Sequence, residues 1–344
     1  MRSLSNNCLG AAGAAALAPA LAANGGLTSI NLYGNKLCGG VWTDDWSDYK
    51  AEQDGNYTAK GIIAIADALR VNGGLTALDL SLNNLDDEGV SAVCEAIQSK
   101  KETKLASLNF GNNNIGPVGA NALAAMVAVT GSLTSLNLGD NQLCSLDKYG
   151  DGTYSAEGIT AIADALRVNG SLTALDLSFN NIDDEGVSAV CEAIQSNKET
   201  KLASLNFGFN GIGPIGANAV AAMVTVTGSL TSLDLSNNAL CGMTPYGGTY
   251  TAEGITAIAD ALRVNGSLTS LDVHVNKIAG DGAVQLSAAV LGNLKIEMFN
   301  KIPIKEMRAD SFTELDLKGE SVGVEGGMVV AGLIPVMGSL TKME

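Results

Sequence analysis

The chain has 344 residues, of which 41 are glycine and only 4% are aromatic, and 46% are hydrophobic. That hydrophobic share excludes a disordered chain, and the scarcity of Phe, Trp and Tyr leaves the core to Leu, Ile, Val and Ala. Lys plus Arg number 20 against 36 Asp plus Glu, a net charge of −16, which argues against nucleic acid or anionic membrane as partner because both need a basic surface.

In chain order, Leu4–Leu9 reads as the second half of a repeat motif. The stretch that follows, LGAAGAAALAPALAANGGLTSINL, aligns without a gap to IGPVGANALAAMVAVTGSLTSLNL at 115–138. Its alanine-rich run is therefore expected to be a helix of a repeat array and not a secretory leader. From there the pattern LxxLxLxxNxL recurs, its first position falling at Leu27, Leu75, Leu105, Leu133, Leu172, Leu202, Leu230, Leu268, Phe312 and Leu340. The short spacings of 28 and 30 residues set the unit at one strand plus one helix. About ten to eleven such units would form a single domain over 1–344, held by stacking of neighbours. The leucines alternate, as at Leu78 and Leu80, so they share one face of a strand. An Asn follows where the chain leaves the strand (Asn83, Asn113, Asn141, Asn180, Asn210, Asn238, Asn276). Its carboxamide can satisfy backbone groups that the turn leaves unpaired, repeat after repeat.

The helix that comes next, as at 158–169, carries Ile159, Ile162, Ala163 and Leu166 on one stripe. Acidic starts such as Asp86, Asp87 and Glu88 suit the helix dipole, and glycine after the last turn is expected to stop the helix. The segments Leu75–Ser171 and Leu172–Ser267, 97 and 96 residues long, are near-copies and mark an internal duplication. The stretch 291–311 holds a degenerate, shorter repeat, and Leu340–Met343 opens another, so both ends are expected to fall mid-repeat. No stretch reaches the roughly 18 apolar residues of a membrane span.

The LxxLxLxxNxL runs and helices of the form GxxAIADALRxNxxLT, as at Gly61–Thr76, resemble the leucine-rich repeats of the ribonuclease-inhibitor subtype. Such repeats also occur in nucleotide-binding leucine-rich-repeat receptors and in Ran GTPase-activating proteins. The resemblance covers essentially the whole chain. It implies an α/β solenoid, a horseshoe with parallel strands on the concave side and helices on the convex side.

Candidate chemistry is sparse. Residues 211–216 spell a GxGxxG, with Asp234 18 residues further on, close to a dinucleotide fingerprint. The twin stretch at 114–119 begins with Asn114, so the match is repeat drift and no cofactor is expected. Cys94 and Cys191 occupy one helix position in two copies, while Cys38, Cys144 and Cys241 each follow an N-x-L. Equivalent positions three repeats apart lie roughly 14 Å from each other, too far for a disulfide. With Cys8 these are expected to be free thiols in a reducing, cytoplasmic compartment, and no Cys or His spacing suits a metal. His274 follows Asp272 on one strand face, an arrangement that can orient an imidazole. No nucleophile is marked out beside it, so a surface histidine and a non-enzyme are expected. Sequons at Asn56, Asn169 and Asn265 are expected to be unglycosylated.

Insertions at 38–57, 144–154 and 241–250 interrupt every third unit between strand and helix. The first carries both tryptophans, Trp42 and Trp46, together with Tyr49 in an acidic loop, the composition of an interface hot spot. Asp147 and Asp151 in the second are too few ligands for calcium. Alternation places Asn31, Asp79, Asn109, Asn137, Asp176, Asn206, Asp234, Asp272 and Asp316 in one column of the strand face, with Leu82, Phe179 and Phe209 at strand ends. The expected function is a protein-interaction scaffold, such as the sensing region of a receptor-like protein, with no obligate homo-oligomer. Its expected partner is another protein, a basic one, met by Trp42, Trp46, Tyr49, Asp79, Asp176, Asp234, Asp272, Phe179 and Phe209. The alternatives are a GTPase-activating protein similar to the Ran regulators and an inhibitor of a basic enzyme.

Overall fold

Each LxL segment forms a strand of two or three residues, cut short because the chain turns inward at the Asn that follows. The computed structural model describes residues 4–39, 57–100, 102–147, 150–244 and 247–344, and the chain divides into two compact units, Met1–Leu175 and Asp176–Glu344. In the first unit, helices α1 (Gly10–Ala23), α2 (Lys60–Val71), α3 (Asp86–Gln98), α4 (Pro117–Val129) and α5 (Glu157–Leu166) alternate with strands β1 (Ser29–Asn31), β2 (Ala77–Asp79), β3 (Ser107–Asn109) and β4 (Ser135–Asn137). These four strands pair in parallel and in strict register, Ile30 on Leu78, Leu78 on Leu108 and Leu108 on Leu136. Strand β5 (Ala174–Asp176) stands at the division between the units.

The second unit repeats the scheme with α6 (Asp183–Ser196), β6 (Ser204–Asn206), α7 (Pro214–Val226), β7 (Ser232–Asp234), β8 (Met243–Thr244), β9 (Gly247–Gly248), α8 (Glu253–Val264), β10 (Ser270–Asp272) and α9 (Gly280–Gly292). It ends with β11 (Met298–Phe299), α10 (Ile304–Arg308), β12 (Glu314–Leu315), α11 (Gly323–Leu333) and β13 (Lys342–Met343). Strands β6, β7, β10 and β11 pair in parallel, as do β12 and β13. The short strand β11 and five-residue helix α10 are the degenerate repeat. Among the described residues no helix is long and apolar enough to cross a membrane.

The core lies between the strands and the helices of each repeat. Leu78 and Leu80 are buried, as are Ile159, Ile162, Ala163 and Leu166 on the inner face of α5. Small residues let neighbouring repeats close in: a methyl group at Gly61 would meet the Leu37 carbonyl oxygen at 2.4 Å and Ala11 Cα at 2.6 Å. No side chain larger than hydrogen fits there without moving backbone.

The asparagine ladder forms as the pattern requires. Asn83 Nδ2 donates to the carbonyls of Leu32, Leu80 and Ser81, while its Oδ1 accepts from the backbone of Asn35 and Leu37. Asn113 does the same for Leu80, Phe110, Asn83 and Leu85, and Asn210 for Leu177, Phe207, Asn180 and Ile182. Each buried carboxamide thus binds two successive repeats.

The helix stop is different from the expectation. Gly73, Gly170 and Gly266 do not terminate the helices in a left-handed turn. Asn72 ends α2 in extended backbone; its Oδ1 caps the amides of Gly74 and Leu75, and its Nδ2 donates to Leu21 and Asn24 of the preceding repeat. Asn169 and Asn265 repeat the device. It is a second ladder, on the helix side, and it consumes the sequon amides of Asn169 and Asn265.

Candidate functional site

The strand-face column is built by turn chemistry before it is built by charge. The Oδ1 of each column residue accepts the backbone N–H two residues on: Asp79 from Ser81, Asn109 from Gly111, Asn137 from Gly139, Asp176 from Ser178, Asn206 from Gly208, Asp234 from Ser236. These are Asx turns, and they need an acceptor oxygen, not a charge. Asn serves as well as Asp, so the carboxylates at Asp176 and Asp234 carry negative charge beyond what the fold requires. Their second oxygens have no protein partner among the described residues. Asp79 is more occupied, since its Oδ2 accepts from Asn31 Nδ2 at 3.0 Å.

Asp272 is committed differently. Its Oδ1 lies 2.5 Å from His274 Nδ1 and also accepts the His274 backbone N–H. The pair is largely buried, with side chains 19% and 15% exposed, which corrects the expectation of a surface histidine. The Nε2 edge of the ring faces Asn237 Nδ2 at 3.5 Å.

The next position along each exit turn is left-handed in both units. Leu82, Asn112 and Asp140 hold it in the first, with φ of 56°, 54° and 55°; Phe179, Phe209, Asn237 and Val275 hold it in the second, with φ of 55°, 56°, 53° and 57°. Asn, Asp and Gly accept this conformation readily, whereas a bulky side chain does so at a cost of roughly 1–2 kcal/mol. In the first unit Asn112 Nδ2 donates to Asp140 Oδ2 at 2.7 Å, and burial raises the Asp140 pKa. In the second the same slots hold two phenyl rings stacked with centroids 3.9 Å apart and planes at 14°. Both rings remain more than 40% exposed. The strand ends were legible as aromatic positions in the sequence; the stack was not.

The glycine-rich stretch 211–216 has its amides occupied. Gly213 and Gly216 both donate to Asp184 Oδ1, at 2.7 and 2.8 Å, and Gly116 and Gly119 donate in the same way to Asp87. A carboxylate from the preceding repeat fills the anion site that a phosphate would use. At Gly216 an added methyl would meet that oxygen at 2.6 Å. The glycines serve packing between repeats.

Described residues of the first and third insertions are tied to the neighbouring repeat. In the third, β8 pairs with β9 as a small hairpin, and Lys277 Nζ donates to the Thr244 carbonyl. Tyr250 closes it with a hydroxyl that donates to Ala279 O at 2.5 Å; Tyr57 does the same to Leu85 O at 2.8 Å. Trp42, Trp46 and Tyr49 lie outside the described residues. Cys8 is exposed and the other five cysteines are buried, all free. Burial pushes the Cys38 thiol up to about 12 and that of Cys241 to about 11, and raises Cys94 and Cys191 further. Among the described residues no group of Cys, His, Asp and Glu could hold a metal ion.

Strand, Asn turn and helix, repeated in register, define an α/β solenoid of the ribonuclease-inhibitor-like type. A leucine-rich-repeat family model matches residues 75–94, 101–124, 168–191 and 198–221, and a second matches 229–247. The chain carries leucine-rich repeats in these segments. Among curated proteins no sequence matches it. Among solved structures it is similar to the leucine-rich-repeat-containing protein LegL7 from Legionella pneumophila, at 19% identity over 81% of this chain and 85% of that one, TM-score 0.46. It is also similar to the tropomodulin C-terminal domain of Caenorhabditis elegans, at 16% identity over 54% and 93%, TM-score 0.39. For human 5T4, Wnt-activated inhibitory factor 1, the values are 20% identity over 66% and 69%, TM-score 0.40.

Proposed function

We propose that this protein is an interaction scaffold whose docking surface is the strand face of the second copy, with Phe179 and Phe209 as anchors and Asp176 and Asp234 as guides toward a basic protein. The observation that carries this reading is the stacked, exposed phenyl pair in left-handed slots where the twin copy has Leu82 and Asn112. Large exposed aromatics placed at such a conformational cost are a feature of binding surfaces and not of solenoid packing. Asp79 and Asp272, already paired within the fold, contribute field more than contact. Trp42, Trp46 and Tyr49 form a second proposed contact on the strength of their composition. The reading involves no catalytic step, and it assigns the chain to a reducing compartment such as the cytoplasm, supported by its free thiols.

The test is a pull-down from native lysate with three baits: wild type, Phe179→Ala with Phe209→Ala, and the first-copy control Leu82→Ala with Asn112→Ala. Loss of the same partners with the second bait alone is expected. Equal recovery by all three baits would sink the reading.

A further inference from the structure

We propose that the second copy's strand face recognises arginine in particular: it takes an extended protein segment whose guanidinium groups stack on the Phe179–Phe209 pair and engage the Asp176 and Asp234 carboxylates. This deepens the interaction reading above and rests on it. Three observations converge. Two rings, stacked face to face at 3.9 Å and more than 40% exposed, leave their edges and the two outer faces of the stack for a ligand at the end of two neighbouring strands. The carboxylates of Asp176 and Asp234 carry charge the Asx turns do not need, with one oxygen each left over. The backbone of Leu177 and Phe179 pairs with Asn206 and Gly208, and that of Phe207 and Phe209 with Asp234 and Ser236. Asp176 and Asp234 therefore stand two strands apart within one unit, about 10 Å.

A planar, weakly hydrated guanidinium stacks on an aromatic face and presents paired donors to a carboxylate. An ammonium group is a strongly hydrated point charge and does the first poorly. The separation of the two carboxylates equals three residues of extended chain at about 3.3 Å each. The fitting segment accordingly carries arginines three positions apart and crosses the strands along the stacking direction. The first copy lacks this combination: Asn112 and Asp140 bind each other, and Asn137 stands where the second copy has Asp234.

Fluorescence anisotropy with labelled peptides tests this. The probes are Gly-Arg-Gly-Gly-Arg-Gly, its lysine counterpart, and its citrulline counterpart, which keeps the shape of arginine without the charge. Wild type should bind the arginine peptide about tenfold more tightly than the lysine one, and the citrulline peptide not at all. Replacing the pair with the twin copy's residues, Phe179→Leu with Phe209→Asn, keeps side chains that the slot already accepts. That variant should retain weak, salt-sensitive binding and lose the preference for arginine. Asp176→Asn with Asp234→Asn should bind neither peptide. Equal affinity for arginine and lysine peptides on wild type, an unchanged ratio in the Leu/Asn variant, or no binding by wild type overturns the arginine assignment. The pull-down above then decides separately whether the face is a docking surface at all.

Discussion

The two copies, 75–171 and 172–267, have diverged unevenly. Where they differ in the core the exchange stays aliphatic, Leu85 answering to Ile182 and Leu123 to the one-methylene-smaller Val220. On the strand face it changes chemistry: Leu82 and Asn112 answer to Phe179 and Phe209, and Asn137 to Asp234. Both copies keep the same Asn ladder, the same Asp cap under the next helix and the same buried cysteine. The framework is fixed by polar contacts that recur with the period, which leaves the exposed column free to be re-specified without disturbing the fold.

The harshest way to break that comparison is to attack the shared framework. Asn113→Ala and Asn210→Ala each strand several buried backbone groups and should cost about 3–5 kcal/mol. The two costs should agree to within about 0.5 kcal/mol by guanidinium denaturation of each variant. A clear inequality would show that the copies are not equivalent scaffolds.

At the face itself the expectation has opposite signs for stability and binding. Phe209→Asn relieves a bulky residue from the left-handed slot and should stabilise the fold by about 1 kcal/mol, read as a higher denaturation midpoint. The same change should weaken partner binding by about 2 kcal/mol or more if Phe209 is a hot spot, read by titration against the captured partner.

A smaller effect is expected where the ladder lapses, in the last repeats. Asn300 turns inward early; its Oδ1 accepts the Val273 amide and its Nδ2 donates to the buried Glu325. Burial raises the Glu325 pKa above its ordinary value of 4.5. The folded state therefore holds the proton more tightly, and stability falls as pH rises through the folded pKa. Glu325→Gln should melt higher than wild type at pH 7, with the difference vanishing below the unfolded value. A gap independent of pH would rule out this account.

The mildest test leaves the sequence alone. Native protein at pH 8 treated with a thiol reagent and weighed by mass spectrometry should gain label at Cys8 only, because Cys94 and Cys191 are equally buried and the burial of Cys38 and Cys241 keeps their thiols protonated. Labelling of Cys191 but not Cys94 would reveal a looser second copy.

The legibility of the molecule follows the same division between framework and face. Period and alternation exposed the strands, the Asn83-type ladder and the helix stripe, since each rests on a residue type recurring at fixed offset. The helix-side ladder was missed because Asn72, Asn169 and Asn265 each stand next to a glycine, the commoner helix terminator. The column was visible as acidic, but its Asx turns were not: hydrogen bonds from Asp176 or Asn206 to the backbone two residues on leave no mark in composition. Phe179 and Phe209 were placed at strand ends, yet their stacking depends on strand spacing and exit-turn geometry, which the pattern does not encode. His274 read as exposed because the approach of Asn237 from the neighbouring exit turn, 3.5 Å from its Nε2, leaves no mark in the pattern.

The tyrosine that closes an insertion has a practical corollary. Tyr57 and Tyr250 end the first and third insertions, and each tyrosine hydroxyl is fastened to the next repeat. The stretches from cysteine to tyrosine run 20, 11 and 10 residues in the three insertions. The array thus offers mounting points at regular intervals, the first and third with a clasp of their own, where a foreign peptide can be spliced in and displayed while the rack beneath stays as it was.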